Sequence, residues 1–360
     1  MEKVLTDFDS FGFDCLLFES CNLHCKFCLE AHNSSKIDYE YIKRIPTDIF
    51  KAFEDVSNNY PPIKSFNFRL WGGELFYDSL PDELFDLYRQ IIKEIYDLFH
   101  NKYPEAYLEF AWVTNGVWNN RDRVEKLILD TDSILGFSYD PVDRYNSEDQ
   151  KQLAIDNILY FQDKGRLNEV STVLTTHNIK AYIENRSDLE LFRKAKTIDI
   201  NYYVPNPNWE ELMPTDDDLF NFFKWAIDNR FYNIFDIRNI FNSLINNVIY
   251  RSCNCHRHIS HCKNSTTFNC VKSSSIFPNN RFYGNIEITE QNVASIKRKL
   301  GINKRGCLYC DKNNICPQPC WTSILFDMYK TTYCPFQRIY NYITPEMIED
   351  YKRYINETRN

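Results

Sequence analysis

Thirteen cysteines fall into two widely separated fields, and this division constrains the chain more than any other feature. Cys15, Cys21, Cys25 and Cys28 stand near the start, none follows until Cys253, and nine lie between Cys253 and Cys334. The count is odd, so disulfides within one chain cannot pair them all. Residues 1–10 lack the basic region and apolar core of a signal peptide, and no run approaches the roughly 18 apolar residues of a membrane span. The reading is a cytoplasmic protein, where clustered cysteines bind metal more often than they form disulfides. Acidic residues (50) outnumber basic ones (42), which argues against a general nucleic-acid binder with its basic face. With 43% hydrophobic and 26% charged residues the chain is globular rather than disordered, and 360 residues suffice for about two domains or one large barrel with an appendage.

Apolar patterning up to about residue 205 alternates between the strand period and the helix period. Segments 13–18 (FDCLLF), 65–70 (SFNFRL), 107–113 (YLEFAWV), 134–139 (ILGFSY), 170–174 (VSTVL) and 198–204 (IDINYYV) read as strands. Helical spacing over 84–98, 122–129 and 152–164 separates several of them. Strand alternating with helix predicts parallel β/α units, and six such strands fit an open or partial barrel better than a closed eight-stranded one. Pro205, Pro207 and Pro214 punctuate the end of this block. Residues 216–250 read as helical, the segment from 251 is rich in Cys, Asn and Ser, and 345–354 reads as a closing helix.

The segment Cys21-Asn-Leu-His-Cys25-Lys-Phe-Cys28 places three thiols on a short loop directly after the first strand. Three such thiolates can ligate three irons of a cubane iron–sulfur cluster and leave the fourth iron open. The same spacing also fits zinc with His24 or His32 as a fourth ligand, or three free buried thiols. Cys15, within the strand itself, reads as a buried apolar side chain.

This loop resembles the C-x3-C-x-aromatic-C signature of radical S-adenosylmethionine (SAM) enzymes, with Phe27 in the aromatic position. Further segments follow in the family's order, each at the C-terminal end of a strand, where β/α folds build their sites. Gly72-Gly73-Glu74, the only Gly-Gly pair among nine glycines, stands where the family carries a segment near the methionyl amine of SAM. Thr114-Asn115-Gly116 follows the third strand, and Ser138 ends the fourth, where relatives place a ribose contact. Taken singly, these also fit plain turns and a solvated strand end. Leu75 after Glu74, where the family usually has Pro, and Leu29 after Cys28, where many relatives have an aromatic residue, depart from the pattern. The resemblance implies a partial (β/α)6 barrel, an α/β fold of the radical SAM type, over residues 1–215. It implies a [4Fe–4S] cluster on Cys21, Cys25 and Cys28 that binds SAM, with SAM contacts from Phe27, Gly72, Gly73, Glu74, Asn115 and Ser138.

The second field, Cys307-x2-Cys310-x5-Cys316-x3-Cys320 with Cys334 beyond, resembles the SPASM domain of peptide-modifying radical SAM enzymes, which holds auxiliary iron–sulfur clusters. The resemblance implies a helical linker over 216–250 and an auxiliary-cluster domain over 251–360. One cluster maps onto Cys307, Cys310, Cys316 and Cys334. The other maps onto Cys262, Cys270 and Cys320, but Asn285 stands where the pattern expects its remaining cysteine. Asparagine is a hard, neutral ligand and a poor substitute for thiolate. Either Cys255 (or Cys253) supplies the fourth ligand or one iron stays open, giving one or two auxiliary [4Fe–4S] clusters. Zinc remains the alternative for this field too, since C-x2-C pairs build zinc ribbons.

The activity implied is reductive cleavage of SAM to a 5′-deoxyadenosyl radical, which abstracts hydrogen from a peptide or protein substrate. Cross-linking of a ribosomally made peptide is the leading expectation. An anaerobic sulfatase-maturing or small-molecule oxidoreductase is the alternative among enzymes, and a zinc-stabilised interaction protein the alternative from another class. The implied partners are a peptide substrate and a one-electron donor such as a flavodoxin or ferredoxin. With the first motif beginning at Cys21, a leader peptide is expected to bind the core itself or a separate leader-peptide-binding protein.

Overall fold

The computed structural model describes residues 10–28, 36–58, 62–184, 192–193, 195–203, 209–250, 258–262, 265–267, 310–312, 314–316 and 334–358. Strand and helix alternate from the start: β1 (Ser10–Leu16), α1 (Tyr39–Ser57), β2 (Ser65–Trp71), α2 (Asp82–Lys102), β3 (Tyr107–Thr114), α3 (Arg121–Asp130), β4 (Ile134–Ser138), α4 (Glu148–Asp163), β5 (Leu167–Leu174), α5 (Thr176–Glu184) and β6 (Thr197–Tyr202). The chain continues through α6 (Asp216–Asp228), α7 (Phe235–Asn246), β7 (His258–Cys262), β8 (Ser265–Thr267), α8 (Pro335–Tyr342) and α9 (Pro345–Thr358). The strands form one sheet in the order β6-β5-β4-β3-β2-β1-β7-β8. Neighbours from β6 to β7 pair in parallel, and only β8 runs antiparallel. This is the expected α/β partial barrel.

The register follows from side-chain alternation. In β1 and β2 the residues Phe11, Phe13, Cys15, Phe66, Phe68 and Leu70 are buried in one core with the helices. The intervening Asp14, Asn67 and Arg69 lie on the other face. A one-residue slip would exchange the two faces, so burial fixes the register. Phe99 of α2 packs edge-on against Phe13, Phe66 and Phe68, with ring centroids 5.0–5.3 Å apart. Full burial of such a side chain is worth about 1.5–3 kcal/mol relative to exposure, so this aromatic stack fixes α2 on the sheet.

Three features go beyond the expectation. Helix α1 carries Pro46 in its interior, which weakens the sequence signal for a helix. It forms because Asp38 caps it, accepting from Tyr41 N at 3.0 Å, and because Ile42, Ile45, Ile49 and Phe53 make one buried stripe. The stretch that reads as helical over 216–250 holds two helices, α6 and α7, separated by a turn in which Arg230 takes a left-handed φ of 59°. Strand β7, on the C-terminal side of the expected division at 250, pairs with β1 from Gly12 to Cys15 and extends the barrel sheet.

The C-terminal helices close against α6, α7 and β6. Phe336 of α8 meets Phe223 and Tyr202, while Tyr351 of α9 stacks on Phe241 at 4.8 Å. Tyr351 Oη also donates to Asn242 Oδ1 at 3.0 Å. Among the described residues, no helix is long and apolar enough to cross a membrane.

Candidate functional site

The segments singled out in the sequence meet at the C-terminal ends of β1, β2 and β3. Strand β1 ends at Leu16 and the three-cysteine loop follows, with Cys28 N donating to Cys25 O at 3.1 Å. The backbone after β2 zips onto the backbone after β1. Leu17 N donates to Trp71 O at 2.8 Å, Gly73 N to Phe18 O at 2.8 Å, and Glu74 N to Ser20 O at 2.9 Å. This pairing is why the segment needs glycine. A Cβ at Gly73 would lie 2.0 Å from Ser20 O, and one at Gly72 would lie 2.5 Å from Phe18 O. Both obstacles are backbone, so neither could move aside cheaply. The glycines thus hold Gly72-Gly73-Glu74 against the root of the cysteine loop.

Glu74 is fully buried. Its Oε1 accepts from Thr114 Oγ1 at 2.7 Å and Phe76 N at 3.0 Å, and its Oε2 accepts from Asn115 N at 2.6 Å. All three contacts are with the protein's own groups. Burial nevertheless outweighs these donated hydrogen bonds and pushes the carboxyl up to about 7. Thr114 relays the arrangement onward, accepting from Trp118 Nε1 at 2.9 Å and Gly116 N at 3.1 Å. Gly116 sits at φ 78°, which explains glycine in the Asn-Gly turn.

Asn115 carries the network into the cysteine loop. Its Nδ2 donates to Asn22 Oδ1 at 2.8 Å and lies 3.7 Å from Cys21 Sγ. Asn22 Nδ2 returns a hydrogen bond to Val117 O at 2.7 Å. The loop is therefore clamped from both sides by the turn after β3. Around it, Leu23, Cys25, Phe27, Val117, Ala154, Tyr203 and Leu212 form a second apolar cluster, distinct from the main core, against which Cys21 and Cys28 pack. Ser138 lies at the end of β4, its Oγ 3.4 Å from Ser171 Oγ.

The donor set fits an iron–sulfur cluster. Cys21, Cys25 and Cys28 form no disulfide among the described residues, and Cys21 feels both of the others electrostatically. Burial pushes the Cys21 thiol up to about 12, so metal binding there must expel a proton. Among the described residues, no three His, Cys, Asp or Glu side chains converge closely enough to share one metal ion. A cubane instead takes one thiolate per iron, which suits thiols spread along a loop. His24, the alternative zinc ligand, is exposed; His32 lies outside the described residues.

Two charged residues at the site escaped the sequence reading. Asp140 is fully buried just beyond β4 and binds the Arg144 guanidinium, Nε to Oδ2 at 2.7 Å and Nη2 to Oδ2 at 2.6 Å. Arg144 Nη1 lies 4.0 Å from Cys25 Sγ, and its guanidinium carbon lies 5.2 Å from the centre of the Phe27 ring. The only signal in the sequence was an acid and a base four residues apart.

In the second field, Cys310, Cys316 and Cys334 lie near α8. Cys334 is its N-cap, Cys316 packs partly buried against the main core, and Tyr340 Oη donates to Ile315 O at 3.0 Å. Gln337 Nε2 donates to Asp311 Oδ1 at 3.3 Å, beside Cys310. Cys262 ends β7. Cys255, Cys270, Cys307, Cys320 and Asn285 lie outside the described residues.

No protein-family model matches the sequence, and no curated protein matches it. Solved structures match in fold. anSMEcpe with bound AdoMet aligns at a TM-score of 0.60 and 14% identity, covering 94% of this chain and 98% of that one. The same protein with bound AdoMet and a peptide gives 0.59 and 14%, covering 95% and 99%. SuiB from Streptococcus suis, bound to precursor peptide SuiA, gives 0.54 and 14%, covering 87% of this chain and 72% of that one. The chain therefore has the α/β partial-barrel fold of the radical SAM type, as its motif order led us to expect.

The buried Glu74 carboxyl yields a signed prediction. Its folded pKa of about 7 lies above the ordinary 4.5, so its contribution to stability is complete below about pH 4.5 and lost as pH rises through about 7. Thermal unfolding of the metal-free protein should show the wild type losing stability relative to Glu74→Gln across this range. Parallel pH profiles would contradict the assignment.

Proposed function

We propose that this chain is a radical SAM enzyme with auxiliary iron–sulfur clusters that modifies a peptide. The observation that carries the reading is the joining of the three-thiol loop to Gly72-Gly73-Glu74 and Asn115 in one buried network at the C-terminal edge of a partial barrel. Cys21, Cys25 and Cys28 would hold a [4Fe–4S] cluster. When bound with SAM, that cluster supplies a 5′-deoxyadenosyl radical by one-electron reductive cleavage. The protein's own residues position and exclude. Asn115 and Asn22 orient Cys21, and the backbone pairing of Gly73 and Glu74 with Phe18 and Ser20 holds the loop root. Leu23, Phe27, Val117, Tyr203 and Leu212 keep water from the thiols. Phe27, Gly72, Gly73, Asn115 and Ser138 are the proposed SAM neighbours, while Glu74 acts by fixing Asn115 and Thr114.

A peptide substrate is supported by the bound peptides in anSMEcpe and SuiB, which share this fold. Within that class, cross-linking of a ribosomally made peptide is our reading, with the sulfatase-maturing type as its competitor. A flavodoxin or ferredoxin would deliver the electron. The arrangement of Cys310, Cys316 and Cys334 about α8 supports an auxiliary cluster that also includes Cys307. Cys255, Cys262, Cys270 and Cys320 are the proposed ligands of the other, Cys255 standing in for the thiolate that Asn285 cannot supply.

Changing Cys21, Cys25 and Cys28 together to Ala should abolish formation of 5′-deoxyadenosine from SAM under reducing, anaerobic conditions while auxiliary iron remains. Undiminished 5′-deoxyadenosine would refute the proposal, and wild-type protein that purifies colourless with zinc would favour the interaction-protein alternative.

Cys310→Ala tests the auxiliary set separately. Because metal binding is coupled to folding, both iron content and the yield of folded protein should fall. Full iron and unchanged stability would show that Cys310 is not a ligand.

A further inference from the structure

We propose that Arg144, oriented by Asp140, raises the reduction potential of the cluster held at Cys25. The inference rests on the radical SAM reading above and adds a residue to it. The guanidinium is held in one orientation. Asp140 Oδ2 takes both Nε and Nη2, which leaves Nη1 to face Cys25 Sγ at 4.0 Å. Asp140 is in turn held through its other oxygen. Oδ1 accepts from Thr172 Oγ1 at 2.8 Å, Val173 N at 2.8 Å and Asn178 Nδ2 at 2.9 Å. The end of β5 and the start of α5 thereby set the angle of a cation on the loop after β4. The Arg144 side chain is only 10% exposed, so solvent screens it little.

Asp140 and Arg144 together are neutral, and their effect on the thiolate depends on which charge is nearer. The guanidinium turns Nε and Nη2 to Asp140 and Nη1 to the sulfur, and in the proposal the attraction of the cation in contact with the sulfur exceeds the carboxylate's repulsion. Reduction adds one electron to the iron–sulfur group, and a nearby fixed cation stabilises the more negative state. Charge and hydrogen bonding at the ligand sulfur are established means of tuning such potentials. The Arg144 backbone carbonyl also lies 3.7 Å from Cys25 Sγ, but it is unchanged in every side-chain variant.

The test is a redox titration of the anaerobically reconstituted full chain, followed by electron paramagnetic resonance without SAM and with titanium(III) citrate as reductant. The signal to follow is the one missing from the Cys21, Cys25 and Cys28 triple Ala variant. Arg144→Gln should move its midpoint to more negative potential. At the potential that half-reduces the wild type, its ratio of reduced to oxidised cluster should fall about tenfold. Arg144→Gln alone leaves Asp140 buried without its cation, so the Asp140→Asn, Arg144→Gln double variant supplies a neutral pair and should shift in the same direction. Arg144→Lys keeps the charge and should stay near the wild type. Unchanged midpoints in the neutral variants, or a Lys variant displaced as far as Gln, would overturn the proposal. Failure of both neutral variants to assemble the cluster would also overturn it, in favour of an assembly role. Absence of the signal from the wild type would instead overturn the radical SAM reading itself.

Discussion

The two oxygens of Glu74 join the end of β2 to the end of β3, and the geometry of the cysteine loop depends on that junction. One oxygen takes Thr114 and Phe76, the other takes the backbone of Asn115, and Asn115 then reaches Asn22 and Cys21. A buried carboxylate is costly unless its oxygens are hydrogen-bonded, and here donors from just beyond β2 and from the end of β3 offset part of that cost. Removing any one donor costs about 1–3 kcal/mol for the group left unpaired. The junction is therefore stiff. Under the proposed function, that stiffness would help to hold reactive chemistry away from water.

Packing at the same place is set by backbone rather than by side chains. The segments after β1 and β2 lie so close that a methyl group on Gly73 would overlap Ser20 O. Glycine here answers to a neighbouring strand end, not to a ligand directly. The two readings are compatible, since the same closeness brings the Gly72-Gly73 backbone to the rim where Cys21 stands.

Much of this was legible in the sequence because it is local. The C-x3-C-x2-C spacing, the Gly-Gly pair and the Asn-Gly turn each occupy a few consecutive residues at a strand end, and their order along the chain matches their order around the barrel. The six barrel strands were legible because alternation and β-branched or aromatic content agree. Helix α1 was not, because Pro46 interrupts its pattern and the compensating cap and buried stripe show only in three dimensions. Strand β7 was not assigned to the barrel, because five residues in a cysteine-rich segment carry no sign of which strand they will join. Arg144 and Asp140 were missed for a different reason. Arg144, held by Asp140, meets Cys25 across 119 residues of chain, and spacing along a sequence does not report such contacts.

In the proposed function, the buried network presents three thiols to a cluster with an iron open to SAM. The most direct measurement is the electron paramagnetic resonance spectrum of the anaerobically reduced protein before and after SAM is added. The account predicts a [4Fe–4S] signal whose shape changes when SAM binds the open iron. A cluster signal indifferent to SAM, or no iron signal at all, would contradict it.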